Sequence, residues 1–343
     1  MKILLDIGHP KDVNVFKNVI SSLKNRGHEI LIYARVKENT QKLLNEYGFD
    51  FYLGKYYNTM SGKALGILVN DIRLFSIAKK FNPDVFVSPG SPYSAHVSKI
   101  LKKPHLAFPD TEIAGLVSRL AIPFTDYIYT SNSFYINFGR KHKHFDGYFE
   151  LAYLHPNYFK PNRDVPLKYG LNEEYILMRL SALSSHHDLN AQGFRFSSEE
   201  ELIDCINKLE TYGKVIISSE TSQWKTIRDR KIDFDPKDFH DILYYAKLCI
   251  GEGATMASEA AILGVPSIYV SNTERGYLNE LESKYGLVFN ITSREVAVRK
   301  AIDILNDPGT NSAWNQKRNF MLEDKIDVNQ FIVEIIEKTG FYA

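Results

Sequence analysis

Short apolar runs alternate with apolar residues spaced three and four apart along most of this chain, the pattern of strands alternating with amphipathic helices. Residues 3–7, Ile-Leu-Leu-Asp-Ile, form the first run and predict a buried strand. Gly8-His9-Pro10 follows. A helix from about Asp12 then puts Val13, Phe16, Val19, Ile20 and Leu23 on one stripe, with Gly27 just past its end. Residues 30–33 predict the next strand and 40–47 a helix. Residues 84–87, 105–108 and 127–129 predict three more strands, each after a helical stretch. Such alternation points to a parallel, doubly wound sheet.

The rhythm breaks over 157–172, where Pro161, Pro166, Gly170 and several charges follow Pro156 and give linker composition. Strands resume at 175–178, 214–218, 248–250, 267–270 and 287–289, with helical patterns at 199–209, 255–263 and 295–305. Residues 327–338 read as an amphipathic helix through Phe331, Ile332, Ile335 and Ile336. The expected organisation is a Rossmann-like domain over 1–156, a linker over 157–172 and a second Rossmann-like domain over 173–322. A helical segment, 323–343, is expected to pack back toward the first domain. Ligands of such sheets sit beyond the carboxyl ends of the strands, so chemistry is expected in the loops there.

Composition narrows the function classes. Among 343 residues, 42 Lys+Arg against 41 Asp+Glu leave a net charge of +1, so no bulk basic excess recruits nucleic acid. With 44% hydrophobic and 24% charged residues the chain is globular and not disordered. Cys205 and Cys249 lie far apart without metal-ligand spacing, which predicts two reduced core thiols in a cytoplasmic protein. Asp6 interrupts a first apolar run too short for a signal peptide, and no stretch approaches the ~20 apolar residues of a membrane span. Aromatic residues cluster over 47–57, 124–135 and 148–159; core packing is expected of most, with stacking on a sugar as the alternative.

The strongest chemical signal is residues 249–266, Cys-Ile-Gly-Glu-Gly-Ala-Thr-Met-Ala-Ser-Glu-Ala-Ala-Ile-Leu-Gly-Val-Pro. A strand enters a small-residue loop, and a helix starts near Thr255 and stops at Gly264-Val265-Pro266. Gly251 and Gly253 would let the backbone approach a ligand, and the N–H groups at Ala254 and Thr255 open a helix whose positive end suits a diphosphate. Glu259, one turn in, could accept hydrogen bonds from a ribose diol. A tight turn with a surface glutamate is the competing reading.

The string resembles the nucleotide-sugar signature of the GT-B glycosyltransferase superfamily, which also holds the nonhydrolysing UDP-N-acetylglucosamine 2-epimerases. Gly8-His9-Pro10 with Phe16 and Gly27-His28-Glu29 is similar to the start of such proteins. Pro109-Asp110-Thr111-Glu112, residues 147–156 (Gly-Tyr-Phe-Glu-Leu-Ala-Tyr-Leu-His-Pro) and Lys325-Ile326-Asp327-Val328 resemble an uncharacterised prokaryotic family, a domain of unknown function, within it. The resemblance covers nearly the whole chain. It implies an α/β, GT-B fold of two Rossmann-like domains facing a cleft, and a role in surface-polysaccharide synthesis.

Within that frame the donor-binding candidates are Arg179, His186, Ser219, Gly251, Gly253, Ala254, Thr255, Glu259, Glu274 and Arg275. Arg179 ends a strand, Ser219 another, and Thr273-Glu274-Arg275 follows the strand after the signature helix, where Arg275 could meet a phosphate. The other reading of that segment is a helix cap from Asn272 or Thr273. The catalytic candidates are His9, Asp110 and Glu112. His9 could deprotonate an acceptor hydroxyl, with Asp110 or Glu112 as its partner or as the base instead. The alternative is that His9 and Asp110 only cap helices.

The His186-His187-Asp188 run has no third ligand at recognisable spacing, so neither a metal nor another cofactor is expected. The leading expectation, implied by the resemblance, is a metal-independent, hexosyltransferase-type enzyme. It would move a sugar from a nucleotide diphosphate-sugar, UDP-linked, to a glycan or lipid-linked acceptor. A peripheral membrane contact through the lysines of residues 61–81 is part of this expectation. The runner-up is a 2-epimerase-like nucleotide-sugar epimerase. It is weakened because Ser88-Pro89-Gly90-Ser91 stands where those enzymes carry His-Gly-Asp, and Ile122-Pro123-Phe124-Thr125 where an acidic residue is expected. A non-catalytic nucleotide-sugar or glycan-binding protein is the third class.

Overall fold

The computed structural model describes every residue except 36–38, 56–59, 111, 113–118, 181–192, 220–222 and 342–343; of residues 60–65 and 341 it describes the backbone alone. The chain divides into two compact units, one made of Met1–Tyr158 with Lys325–Ala343, the other of Phe159–Asp324.

The first unit is built on seven parallel strands: β1 Lys2–Ile7, β2 Glu29–Arg35, β3 Phe51–Gly54, β4 Val85–Ser88, β5 His105–Ala107, β6 Tyr127–Ser131 and β7 His142–Phe145. Their order is β3-β2-β1-β4-β5-β6-β7. The chain reverses direction across the sheet between β1 and β4, which makes the loops after those strands the topological switch point. β1 and β4 are buried on both faces, as central parallel strands must be. Helix Pro10–Asn25 covers this sheet with the predicted stripe, since Val13, Phe16, Val19, Ile20 and Leu23 are all buried. The closing helix Val328–Phe341 belongs to this unit. Its Val328, Ile332, Val333 and Ile336 are buried, and Glu337 pairs with Arg26 at 2.7 Å and with His28 Nε2 at 2.9 Å.

The second unit has five parallel strands, β8 Tyr175–Leu180, β9 Lys214–Ser219, β10 Leu248–Gly251, β11 Ser267–Val270 and β12 Val288–Ile291, in the order β12-β11-β10-β8-β9. Its switch point falls between β8 and β10, where Gly251 stands opposite Arg179. The proline-rich stretch 157–172 carries a short helix, Asp164–Lys168, and from Phe159 onward groups with this unit. Sequence periodicity misses the helix Thr310–Asp324, which buries only Thr310, Trp314 and Met321 and so shows no continuous stripe.

Both thiols lie in cores. Burial pushes Cys205 up to about 11 and Cys249 up to about 12, leaving them protonated and inert near neutral pH. Among the described residues no helix is long and apolar enough to cross a membrane.

Candidate functional site

In the second unit, the signature string lies at the switch point. Gly251 ends β10 with φ +143, and a Cβ there would be driven into the carbonyl oxygen of Arg179 on β8. Glycine is therefore dictated by the neighbouring strand's backbone, a constraint separate from the ligand approach that the sequence suggests. Glu252 N–H donates to that same carbonyl at 3.3 Å. Gly253 is the N-cap of helix Ala254–Leu263, and no side chain caps it. Ala254 and Thr255, half-buried, form the first turn, so backbone donors and the positive end of the dipole gather there. The helix stops at Gly264 in the left-handed region (φ +81), with Val265 N–H donating to Ala260 O at 2.9 Å. Arg318 Nε donates to Ile262 O at 2.8 Å, so the undetected helix Thr310–Asp324 secures this end.

From Met256 to Leu263 this helix is buried throughout, and Glu259 is buried with it. Glu259 is therefore not the surface glutamate of the competing reading, although a tight packed turn is what the backbone forms. Its Oε1 lies 3.1 Å from His240 Nε2, and His240, itself buried, packs edge-on against Phe159 and Phe239. A carboxylate buried along the helix beside Met256, Ala260 and Leu263 requires such a partner. His240 escapes sequence reasoning because it comes from another helix, Phe239–Tyr244, which has no motif.

Arg179 Nη1 donates to Ser218 Oγ at 3.1 Å, and its Cγ would stand 3.0 Å from a Cβ at Gly253. The structure thus brings Arg179, the β9 end with buried Ser219, and the Gly251–Thr255 turn together. Glu274 is exposed and Arg275 half-buried beyond β11. The cap expected from Asn272 or Thr273 does not form: Arg275 is the N-cap of helix Gly276–Ser283, without a side-chain cap bond, and Thr273 Oγ1 lies 2.9 Å from Tyr269 OH instead. His186 and its neighbours His187 and Asp188 lie outside the described residues. Among the described residues no cluster of His, Cys, Asp and Glu could hold a metal ion.

In the first unit, the loop after β1 rests on a buried charge pair. Asp6 is fully buried and accepts from Arg35 Nη1 at 2.6 Å. The Arg35 guanidinium also lies 4.9 Å over the Tyr93 ring and presses so close to Gly8 that a side chain there would collide with it. His9 then serves as N-cap of helix Pro10–Asn25, its Nδ1 accepting from Lys11 N–H at 3.2 Å. Accepting at Nδ1 leaves the ring proton of a neutral imidazole on Nε2. Asp12 closes the capping box, its Oδ2 accepting from Gly8 N–H at 2.9 Å and His9 N–H at 2.8 Å.

Asp12 is the titratable group that sequence reasoning overlooks. Burial, reinforced by the nearby Asp110 carboxylate, raises it from 3.8 to about 7, although the two N–H donors and Arg35 pull the other way. Its signal was the capping-box spacing three residues after His9. Lys11 Nζ bridges Asp110 Oδ2 at 2.8 Å and buried Glu150 Oε1 at 3.0 Å. Burial alone would raise Asp110, but the Lys11 ammonium outweighs it and holds the carboxyl below its ordinary range, with a small contribution from His9. Glu112, just past β5, is buried as well. His9, Asp110 and Lys11 therefore share one neighbourhood with Asp12.

The chain belongs to DUF354, a protein family of unknown function whose model matches residues 1–335. An uncharacterized protein of Methanocaldococcus jannaschii is 25% identical over 286 residues, covering 78% of this chain and 81% of its own. The UDP-GlcNAc 2-epimerase of Neisseria meningitidis, bound to UDP-GlcNAc, matches with a TM-score of 0.69 at 13% identity over 98% of this chain and 100% of its own. The glycosyltransferase VinC in complex with dTDP gives 0.64 at 14% identity over 100% of both chains. Likeness at these identities establishes the fold: the GT-B class of two Rossmann-like domains, which epimerases and glycosyltransferases share.

Proposed function

We propose that this protein is a nucleotide-sugar enzyme of the glycosyltransferase type, transferring a sugar from a nucleoside diphosphate, most simply UDP, to a glycan or lipid-linked acceptor. The observation that carries the reading is the Gly251–Thr255 turn at the switch point of the second sheet. There an uncapped helix start and a buried glutamate one turn in lie beside Arg179. In this reading the helix N-terminus and Arg179, with Arg275, neutralise the diphosphate as it leaves, so no divalent ion is required. Glu259 takes the ribose hydroxyls while His240 fixes its position.

The first unit supplies proton transfer. As an acceptor hydroxyl attacks the anomeric carbon, its proton passes to a base, for which Asp110, held as a carboxylate, and His9 are the candidates. Asp12, titrating near neutrality, sets the local charge beneath them. This concentration of ionisable groups equally suits proton abstraction from a sugar ring, which keeps epimerisation as the second reading.

Incubation with a panel of nucleoside diphosphate sugars, with and without glycan acceptors, tests the proposal. Nucleotide release that depends on acceptor and survives a chelator is the expected result. An isomerised sugar still on its nucleotide would replace transfer by epimerisation, and binding without turnover would leave a binding protein.

A further inference from the structure

The first unit holds a cavity of about 620 Å³ at the amino ends of β5 and β6, the opposite edge of the sheet from Asp110 and the loop after β1. Its size falls within the range of small-molecule sites. Lys99, Lys102, Lys103, Lys143 and Lys338 line it, and Asp126 is the single carboxylate in the lining. In a chain whose basic and acidic side chains number 42 and 41, five ammonium groups against one carboxylate is a local asymmetry.

Internal partners do not account for it. Asp126 Oδ2 accepts from His105 N–H at 3.0 Å, and among the described residues only Lys338 of the five has a carboxylate of its own, Glu334 at 3.5 Å. Lys143 lies over the rings of Tyr127 and Tyr129, at 5.2 and 5.8 Å, which fixes one wall and leaves its charge in the cavity. Lys102 ends helix Pro92–Leu101 in the left-handed region (φ +54), where glycine is the usual residue. An anion held among them would gain from all five charges at once.

We propose that this cavity is a binding site for a ligand carrying two or more phosphate groups, separate from the nucleotide site of the second unit. Lysines recognise phosphate as point charges without requiring a fixed plane, which suits a diphosphate or a cluster of phosphate headgroups. The tyrosine wall offers an apolar face to whatever the phosphates are attached to.

The test is acetylation footprinting of the full chain, read peptide by peptide by mass spectrometry at constant ionic strength. Inorganic pyrophosphate at about four times its dissociation constant should slow acetylation of Lys103 and Lys143 about fivefold. Lys79 and Lys80, at the end of helix Met60–Phe81 in the same unit, should react unchanged. Lys102→Gln/Lys103→Gln should abolish the protection of Lys143, while Lys79→Gln/Lys80→Gln, which removes the same charge elsewhere, should preserve it. Vesicles of phosphatidylcholine with and without phosphatidylglycerol identify the source. Protection by the anionic vesicles, reversed by pyrophosphate, assigns the site to lipid headgroups; protection by pyrophosphate alone assigns it to a soluble phosphate ester. Absence of protection by pyrophosphate, equal protection at Lys79 and Lys80, or protection of Lys143 that survives Lys102→Gln/Lys103→Gln would overturn the proposal. Because the readout is local to these lysines, its outcome is independent of nucleotide binding in the second unit.

Discussion

Replacing Asp12 by asparagine should stabilise the first unit at neutral and alkaline pH and leave it nearly unchanged in acid. The carboxyl titrates at about 7 in the fold and at 3.8 without it. The unfolded chain therefore gives up the proton first, and between those values it binds fewer protons than the native state. Stability must then fall as pH rises through that window and level off above about 7. A shift of about three units corresponds to about 4 kcal/mol at most, or about 1.4 kcal/mol for each pH unit within the window. Asparagine retains an oxygen for the Gly8 and His9 N–H groups but cannot ionise.

Hydrogen–deuterium exchange of peptides from β1 and helix Pro10–Asn25 is the assay. Wild type and Asp12→Asn are compared at each pH, so the intrinsic pH dependence of exchange cancels. Protection in the variant should gain on wild type by about tenfold per pH unit from about 4 to 7 and then hold constant. Parallel curves at every pH would show that Asp12 ionises as an ordinary carboxylate, and the argument from its burial and from Asp110 would fail.

Glu259→Ala should weaken nucleoside diphosphate binding by about 1.5–3 kcal/mol in calorimetry, and removing the ribose hydroxyls should cost wild type affinity but the variant little. Equal affinities would reduce the motif to a packed turn. Gly251→Ala should destabilise the second unit by more than about 3 kcal/mol, seen as a fall in its melting temperature, because both the backbone angle and the Arg179 carbonyl oppose a side chain. Wild-type stability in that variant would refute the close pairing of β10 with β8. His9→Ala should lower turnover by about 10²-fold or more with nucleotide affinity unchanged if the histidine moves the proton. Unchanged turnover transfers the role to Asp110 or Glu112.

Local periodicity and spacing made the elements and the signature legible. The strand runs at 3–7, 248–250 and 267–270 lie within β1, β10 and β11, because a strand buried on both faces is written as consecutive apolar residues. The stop at Gly264 could be read for the same reason, a left-handed helix end that calls for glycine. Helix Thr310–Asp324 could not be read, since most of its surface faces solvent and Arg318 and Trp314 act through contacts with residues distant in sequence.

The sequence by itself determined where the buried strands, the amphipathic helices and the glycine turn lie, and which side chains could carry charge to the loops; it did not mark strands Phe51–Gly54 and His142–Phe145 or helix Thr310–Asp324. Tertiary structure alone decided what those side chains are. Strand order set Gly251 against Arg179, seventy-odd residues away in the chain, and so gave that glycine a packing reason. It set Arg35 on Asp6, Lys11 between Asp110 and Glu150, and His240 on Glu259. A carboxylate's ionisation depends on the water it has lost and the charges it has met. Both follow from long-range pairing that no local pattern records, so Asp12 marked only the start of a helix in the sequence and became a near-neutral acid only in the fold.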